Sequence, residues 1–209
     1  MKVQLTRRLV GGALAAAALL GLGLYGTARY AGNRPDPSCT VSAATLSRLG
    51  PLARGEVAAF QVAGRAAPAP ALRFNAPDGA RLALSDFGGK AVLLNLWATW
   101  CEPCKREMPA LDRLQAEFGG PGFEVVAVNI DTRDLERPGA WLQQAGITSL
   151  ARYADPEAKI FQELRAAGLA EGLPTTLLLG SDGCLLGRLS GWAEWASAEG
   201  RALVSAARP

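Results

Sequence analysis

Cys101 and Cys104 are the residues of this chain best placed to do chemistry, in the stretch Trp97-Ala98-Thr99-Trp100-Cys101-Glu102-Pro103-Cys104. A thiolate is the reactive form of cysteine, and the unpaired N–H groups at a helix N-terminus favour negative charge there. A C-x-x-C pair at such a position gives an exposed first thiol of lowered pKa. The second, one turn on, can attack a mixed disulfide and release the partner. Cys101 is read as the attacking thiol and Cys104 as the resolving one. Two other uses compete: half of a zinc site, or an inert structural disulfide. Zinc usually takes four ligands, and only the isolated Cys39 and Cys184 remain, with no histidine in the chain. The redox reading is the one the residues favour.

The flanking elements must deliver this geometry. Ala91-Val92-Leu93-Leu94-Asn95-Leu96 is a nearly unbroken aliphatic run, the pattern of a strand buried on both faces. Met108, Leu111, Leu114 and Phe118 recur at helical spacing after the cysteines. Pro103 fits a first helical turn, where its missing N–H has no partner to lose. The pair therefore sits where a buried strand hands over to a helix.

With 209 residues the chain has room for one ordinary domain and an appendage. The formal charge of +3 is concentrated in the first 37 residues, where Lys2, Arg7, Arg8, Arg29 and Arg34 face only Asp36. The basic balance belongs to that tail and gives no argument for nucleic acid. The lack of histidine excludes Cys-His and Ser-His nucleophile pairs and histidine-ligated metals. In a reducing compartment Cys39 and Cys184 would be free thiols; in an oxidising one they can close a bridge.

Leu9 to Tyr25 is apolar or small throughout and follows a short basic start, so residues 1–30 read as a membrane anchor with a cytoplasmic N-terminus. The alternative is a cleaved signal peptide, with small residues at Gly26 and Ala28. Either way the rest of the chain is exported. Residues 31–67 read as a linker and a short helical extension, broken at Gly50-Pro51. Residues 68–209 read as the main domain. It opens on a β-hairpin around Pro77-Asp78-Gly79, and the strand at 91–97 and the cysteine helix follow. A strand over Phe123–Ile130 comes next, then helical stretches near 135–145 and 156–167. The strand Thr175–Leu179, a turn at Ser181-Asp182-Gly183, a hairpin partner from Cys184 and a last helix complete it. Alternating strands and helices closing on a hairpin predict an α/β fold with a mixed sheet. Trp141, Trp192 and Trp195 are expected in the core, and Trp97 and Trp100 in both packing and docking.

Trp100-Cys101-Glu102-Pro103-Cys104 after a buried strand, with Leu173-Pro174-Thr175-Thr176 opening a later one, resembles the thioredoxin fold. Asn95 to Cys101, Val126 to Asp131, Ala154-Asp155-Pro156 and Pro174-Thr175-Thr176 are similar to the TlpA/ResA group of membrane-anchored thiol–disulfide oxidoreductases. The TlpA branch is the more similar, because it has a second cysteine pair in positions like Cys39 and Cys184.

The resemblance implies a cis-proline at Pro174 beside the active-site disulfide, with Trp100, Leu173 and Thr175 as the docking surface. A cis X-Pro bond costs only about 0.5–1 kcal/mol over trans. It also implies a role in proton movement for Glu107; a glutamate that merely complements the helix dipole is the alternative. Asn95 stands where ordinary thioredoxins have a buried aspartate, and an amide cannot take a proton. It further implies a structural disulfide between Cys39 and Cys184, a second redox relay being the rival. No cofactor is expected beyond the Cys101–Cys104 disulfide itself.

Glu102 opposes thiolate formation at Cys101 by like charge, so a reductant-like pair is expected. By resemblance its partners are a copper-delivery protein, the copper subunit of a haem-copper oxidase, or apocytochrome c. A membrane thiol transporter of the DsbD/CcdA kind would supply electrons, and the catalytic domain would face the periplasm from the inner membrane. A disulfide-donating oxidase, and a thioredoxin-like binding module that never turns over, are the two other readings.

Overall fold

The two aliphatic runs form the centre of the sheet. In the computed structural model, which describes residues 37–209, β4 (Ala91–Trp97) and β5 (Phe123–Asn129) lie parallel, in register from Ala91 opposite Phe123 to Trp97 opposite Asn129. The expected anchor over residues 1–30 lies outside the described residues. Among the described residues no helix is long and apolar enough to cross a membrane.

Among the described residues eight strands make one mixed sheet, with β4 and β5 at its centre. On one side of β4, β7 (Thr175–Leu179) runs antiparallel, pairing Leu96 with Thr175, and β8 (Leu185–Ser190) is antiparallel to β7. The two-residue strand β1 (Gln61–Val62) closes that edge against β8. On the other side of β5, β6 (Tyr153–Ala154) is parallel to it. The hairpin β2 (Arg73–Asn75) and β3 (Arg81–Ala83) joins through Asn75 opposite Ala154. Its turn is the expected one, with Gly79 at φ +84°, a backbone region that favours glycine. Gly187 is required for a different reason. A Cβ there would lie 2.5 Å from the Phe60 ring, which packs directly on the β8 backbone.

Among the described residues five α-helices complete the fold: α1 (Thr40–Leu49), α2 (Glu102–Phe118), α3 (Arg137–Gln144), α4 (Lys159–Ala166) and α5 (Ala198–Ala207). The core gathers Trp97, Trp195, Phe74, Phe123 and the leucines of β4 and α2. Phe74, Phe87 and Tyr153 meet edge-on or stacked at 5.4–6.0 Å between ring centroids, and this cluster fastens the hairpin.

The extension before the hairpin packs against the domain through polar as well as aliphatic residues. On α1 Val41 is exposed, whereas Ser42, Thr45 and Leu49 are buried. The Ser42 hydroxyl donates to Asp182 Oδ1 at 2.5 Å and its N–H to Oδ2 at 3.0 Å, so the turn before β8 receives the helix through polar contacts. Cys39 and Cys184 are joined in a disulfide beside that contact, spanning 145 residues of sequence. The expected pairing of the N-terminal helical piece with the C-terminal hairpin is what the structure has.

One tryptophan departs from expectation. Trp195 is fully buried and Trp141 packs partly buried on Trp97, but Trp192 is 43 % exposed. It follows Gly191, whose φ of +99° turns the chain outward at the end of β8.

Candidate active site

β4 ends at Trp97, and a short turn carries the chain to Cys101, whose N–H donates to the Ala98 carbonyl at 3.1 Å. Cys101 is the N-cap of α2: its Sγ accepts the Cys104 N–H at 3.3 Å, and Pro103 lies in the first turn. The strand-to-helix handover read from the sequence is thus the geometry found. Cys101 and Cys104 form a disulfide with Cα atoms 5.3 Å apart. Cys101 is less open than expected, with 6 % of its surface accessible, and Cys104 is buried. Trp100 beside it is 66 % exposed. Trp97, expected to serve docking as well, belongs to the core alone.

The turn before Cys101 is held by a carboxylate to which the sequence reading gave no role. Asp131, at the end of β5, accepts the Thr99 N–H on Oδ2 at 2.9 Å and the Thr99 hydroxyl on Oδ1 at 3.0 Å. Asn129 donates to the same carboxylate at 2.7 Å and takes the Asp131 N–H at 3.0 Å. Both lie in the Val126–Asp131 run; their side-chain partners carry no sequence signal, because Thr99 and Asp131 are far apart in the chain.

The second wall of the site comes from the loop before β7. The Leu173–Pro174 bond is cis, as expected. Leu173 and Gly172, with Trp100, Cys101, Pro103, Ile130, Ala158 and Phe161, line an open groove of about 550 Å³. Thr175 does not line it. Its side chain is buried and its hydroxyl donates to the Gly172 carbonyl at 2.7 Å, so it shapes the proline turn rather than offering a docking surface. The Pro174 carbonyl accepts the Gly191 N–H at 2.9 Å, which ties the proline to the loop after β8.

Behind the cysteines, Glu107 lies on the inner face of α2, three residues beyond Cys104 and 1 % exposed. Asn95 Nδ2 donates to its Oε1 at 2.6 Å and to Thr176 Oγ1 at 3.0 Å, and the Ala193 N–H donates to its Oε2 at 3.1 Å. Trp195 Nε1 lies near the same carboxylate without reaching hydrogen-bond geometry, and Asn95 Oδ1 is also buried without a partner. Loss of water raises the Glu107 pKa from 4.5 to about 8, against the lowering effect of these donors. The site therefore has a disulfide at a helix N-terminus and, on the same helix, a buried carboxyl whose pKa is raised to about 8. Among the described residues no group of three or more His, Cys, Asp or Glu side chains is arranged to hold a metal ion.

Residues 64–186 match the AhpC/TSA family. The chain belongs to that family, and its architecture is the thioredoxin-like α/β fold. It is 52 % identical over 58 residues to the thiol-disulfide oxidoreductase ResA of Oceanobacillus iheyensis, covering 28 % of this chain and 30 % of that one. It is 30 % identical over 115 residues to ResA of Bacillus thuringiensis subsp. konkukian, covering 46 % of this chain and 66 % of that one. The chain thus spans between 30 % and 66 % of the length of these two relatives. Among solved structures, a Chlorobium tepidum protein ascribed to the thiol:disulfide interchange protein DsbE matches with a TM-score of 0.57 and 30 % identity. That match covers 68 % of this chain and 96 % of that one.

Proposed function

We propose that this protein is a thiol:disulfide oxidoreductase that reduces disulfides in partner proteins. The observation that carries the reading is the Cys101–Cys104 disulfide at the N-terminus of α2, opening on a groove whose far wall is the cis-Pro174 turn. Reduced Cys101, as thiolate, attacks one sulfur of the partner's disulfide and displaces the other as a thiolate. Cys104 then gives up its proton and attacks Cys101 Sγ, releasing the partner's second thiol. The partner gains two electrons and two protons, and the Cys101–Cys104 disulfide is restored. Glu107 is the group suited to take the Cys104 proton, because a carboxyl with a pKa of about 8 exists in both forms near neutral pH. Asn95 holds that carboxyl and cannot itself titrate.

The relatives' names support the activity, and the second disulfide, Cys39–Cys184, supports kinship with the TlpA branch in particular. On that kinship the protein is anchored in the inner membrane by residues 1–30 and works in the periplasm. Its partners there are proteins awaiting copper or haem: a copper-delivery protein, an oxidase copper subunit or apocytochrome c. A membrane thiol transporter of the DsbD/CcdA kind regenerates the dithiol.

The deciding experiment is the reduction potential of the Cys101–Cys104 pair, equilibrated with glutathione or dithiothreitol. A value near roughly −270 mV fits a reductant, and one near roughly −120 mV would make the protein a disulfide donor instead. Cys104→Ser should then accumulate mixed disulfides with its partners and Cys101→Ser none, which separates a reductase from a binding module that does not turn over.

A further inference from the structure

The loop after β8 and the second turn of α2 each bring one exposed side chain, Trp192 and Arg106, towards the rim of the site, and the exchange reaction gives neither a task. Gly191 is bound to the Pro174 carbonyl and Ala193 to the Glu107 carboxyl, so Trp192 is pinned between the cis-proline and the buried acid. Its backbone has little freedom, yet its indole remains 43 % exposed. The Arg106 guanidinium lies over that ring, 5.2 Å from the centroid. Arg106 is on α2, one turn beyond Pro103 of the groove wall.

Neighbouring cations on α2 and facing it have carboxylate partners. Lys105 pairs with Glu102 at 2.7 Å, Arg113 with Glu194 at 2.8 Å and Arg201 with Glu117 at 2.7 Å. Among the described residues Arg106 has no ion pair and no hydrogen bond, only the Trp192 ring. A guanidinium held over an aromatic ring keeps its N–H donors available to a carboxylate, which can bind through two oxygens. The ring contact removes some of the side-chain freedom that weakens ordinary surface ion pairs.

We propose that Trp192 and Arg106 form a specificity site for an aspartate or glutamate side chain near the attacked cysteine of the partner. This inference rests on the exchange reading above. A segment laid in the groove over Leu173 continues past Pro174 towards Gly191 and Trp192. An acidic side chain a few residues from the partner's cysteine then meets Arg106.

The test uses the full chain and a set of synthetic peptides, each closed by one internal disulfide. Glu or Gln is placed in turn at each of the four positions on either side of one cysteine. At low ionic strength at least one position should show kcat/KM about three- to fivefold higher for Glu than for Gln. That ratio should fall to about one in Arg106→Gln and below one in Arg106→Glu, both surface changes. A ratio of one at every position in the unaltered protein, or a ratio that survives Arg106→Gln, would overturn the inference while leaving the exchange reading standing. Failure of the unaltered protein to reduce any of the peptides would overturn both.

Discussion

At Glu107 burial and hydrogen bonding pull in opposite directions, and burial wins. The folded pKa of about 8 lies above the 4.5 of an exposed glutamate, so the folded protein holds a proton that the unfolded chain has lost between those values. The resulting stability is complete below pH 4.5 and is lost as pH rises through about 8, on the order of a few kcal/mol. Glu107→Gln should remove that dependence. Denaturant midpoints of the oxidised protein at pH 6 and pH 9 should differ less in the variant than in the parent, and an equal difference would place the titration elsewhere. The unpartnered Asn95 Oδ1 belongs to the same account. Turned over, the amide would accept the O–H of a neutral Glu107. Helical spacing put Glu107 on the side of Cys104, but its burial depends on Asn95, Thr176 and Ala193, contributed by three separate strands and loops. Trp192 was misread for a related reason: tryptophan is usually well buried, and nothing local to Trp192 reveals that Gly191 turns the chain outward.

Among the elements, the end of β5 governs the start of α2. The Ile130 N–H donates to the Trp97 carbonyl at 2.9 Å, and Asp131 holds Thr99 by backbone and side chain together. These contacts set the turn that presents Trp100 and Cys101. Asp131→Asn keeps the shape but loses acceptor capacity in a buried site, at about 1–3 kcal/mol. Its urea midpoint should fall further than that of Thr99→Val, which removes one hydroxyl contact, and kcat/KM for disulfide reduction should fall with it. Equal losses would mean that Asp131 does no more than pair with that hydroxyl. Most elements were legible, because β4, β5, β7 and α2 carry strong periodicity between glycine and proline breaks. The pairing of β1 with β8 was not, since two residues leave no pattern. The packing of α1 was legible only in part: Leu49 is buried as its hydropathy suggests, but Ser42 and Thr45 are buried with it while Val41 is exposed.

For the whole molecule, the Cys39–Cys184 bond joins the first described helix to the hairpin at the sheet's other end in sequence. With a sequence separation of 145 between the cysteines, the chain-entropy model assigns it roughly 4–5 kcal/mol. Replacing both by serine should lower global stability by up to that amount while disulfide exchange at Cys101 persists. Loss of exchange in a variant that remains folded would reveal a relay between the two pairs. Spacing alone left this bond open, because it depends on the compartment as much as on the residues.

The two disulfides share one solvent and one set of reductants, yet only one of them can be allowed to open. Cys39 and Cys184 are buried together with Ala66 and packed against Ala43 and Leu46, whereas Cys101 borders an open groove. Access alone therefore favours attack on the Cys101–Cys104 bond. A reductant that recharges the site through the groove meets the second bond only when its cover opens.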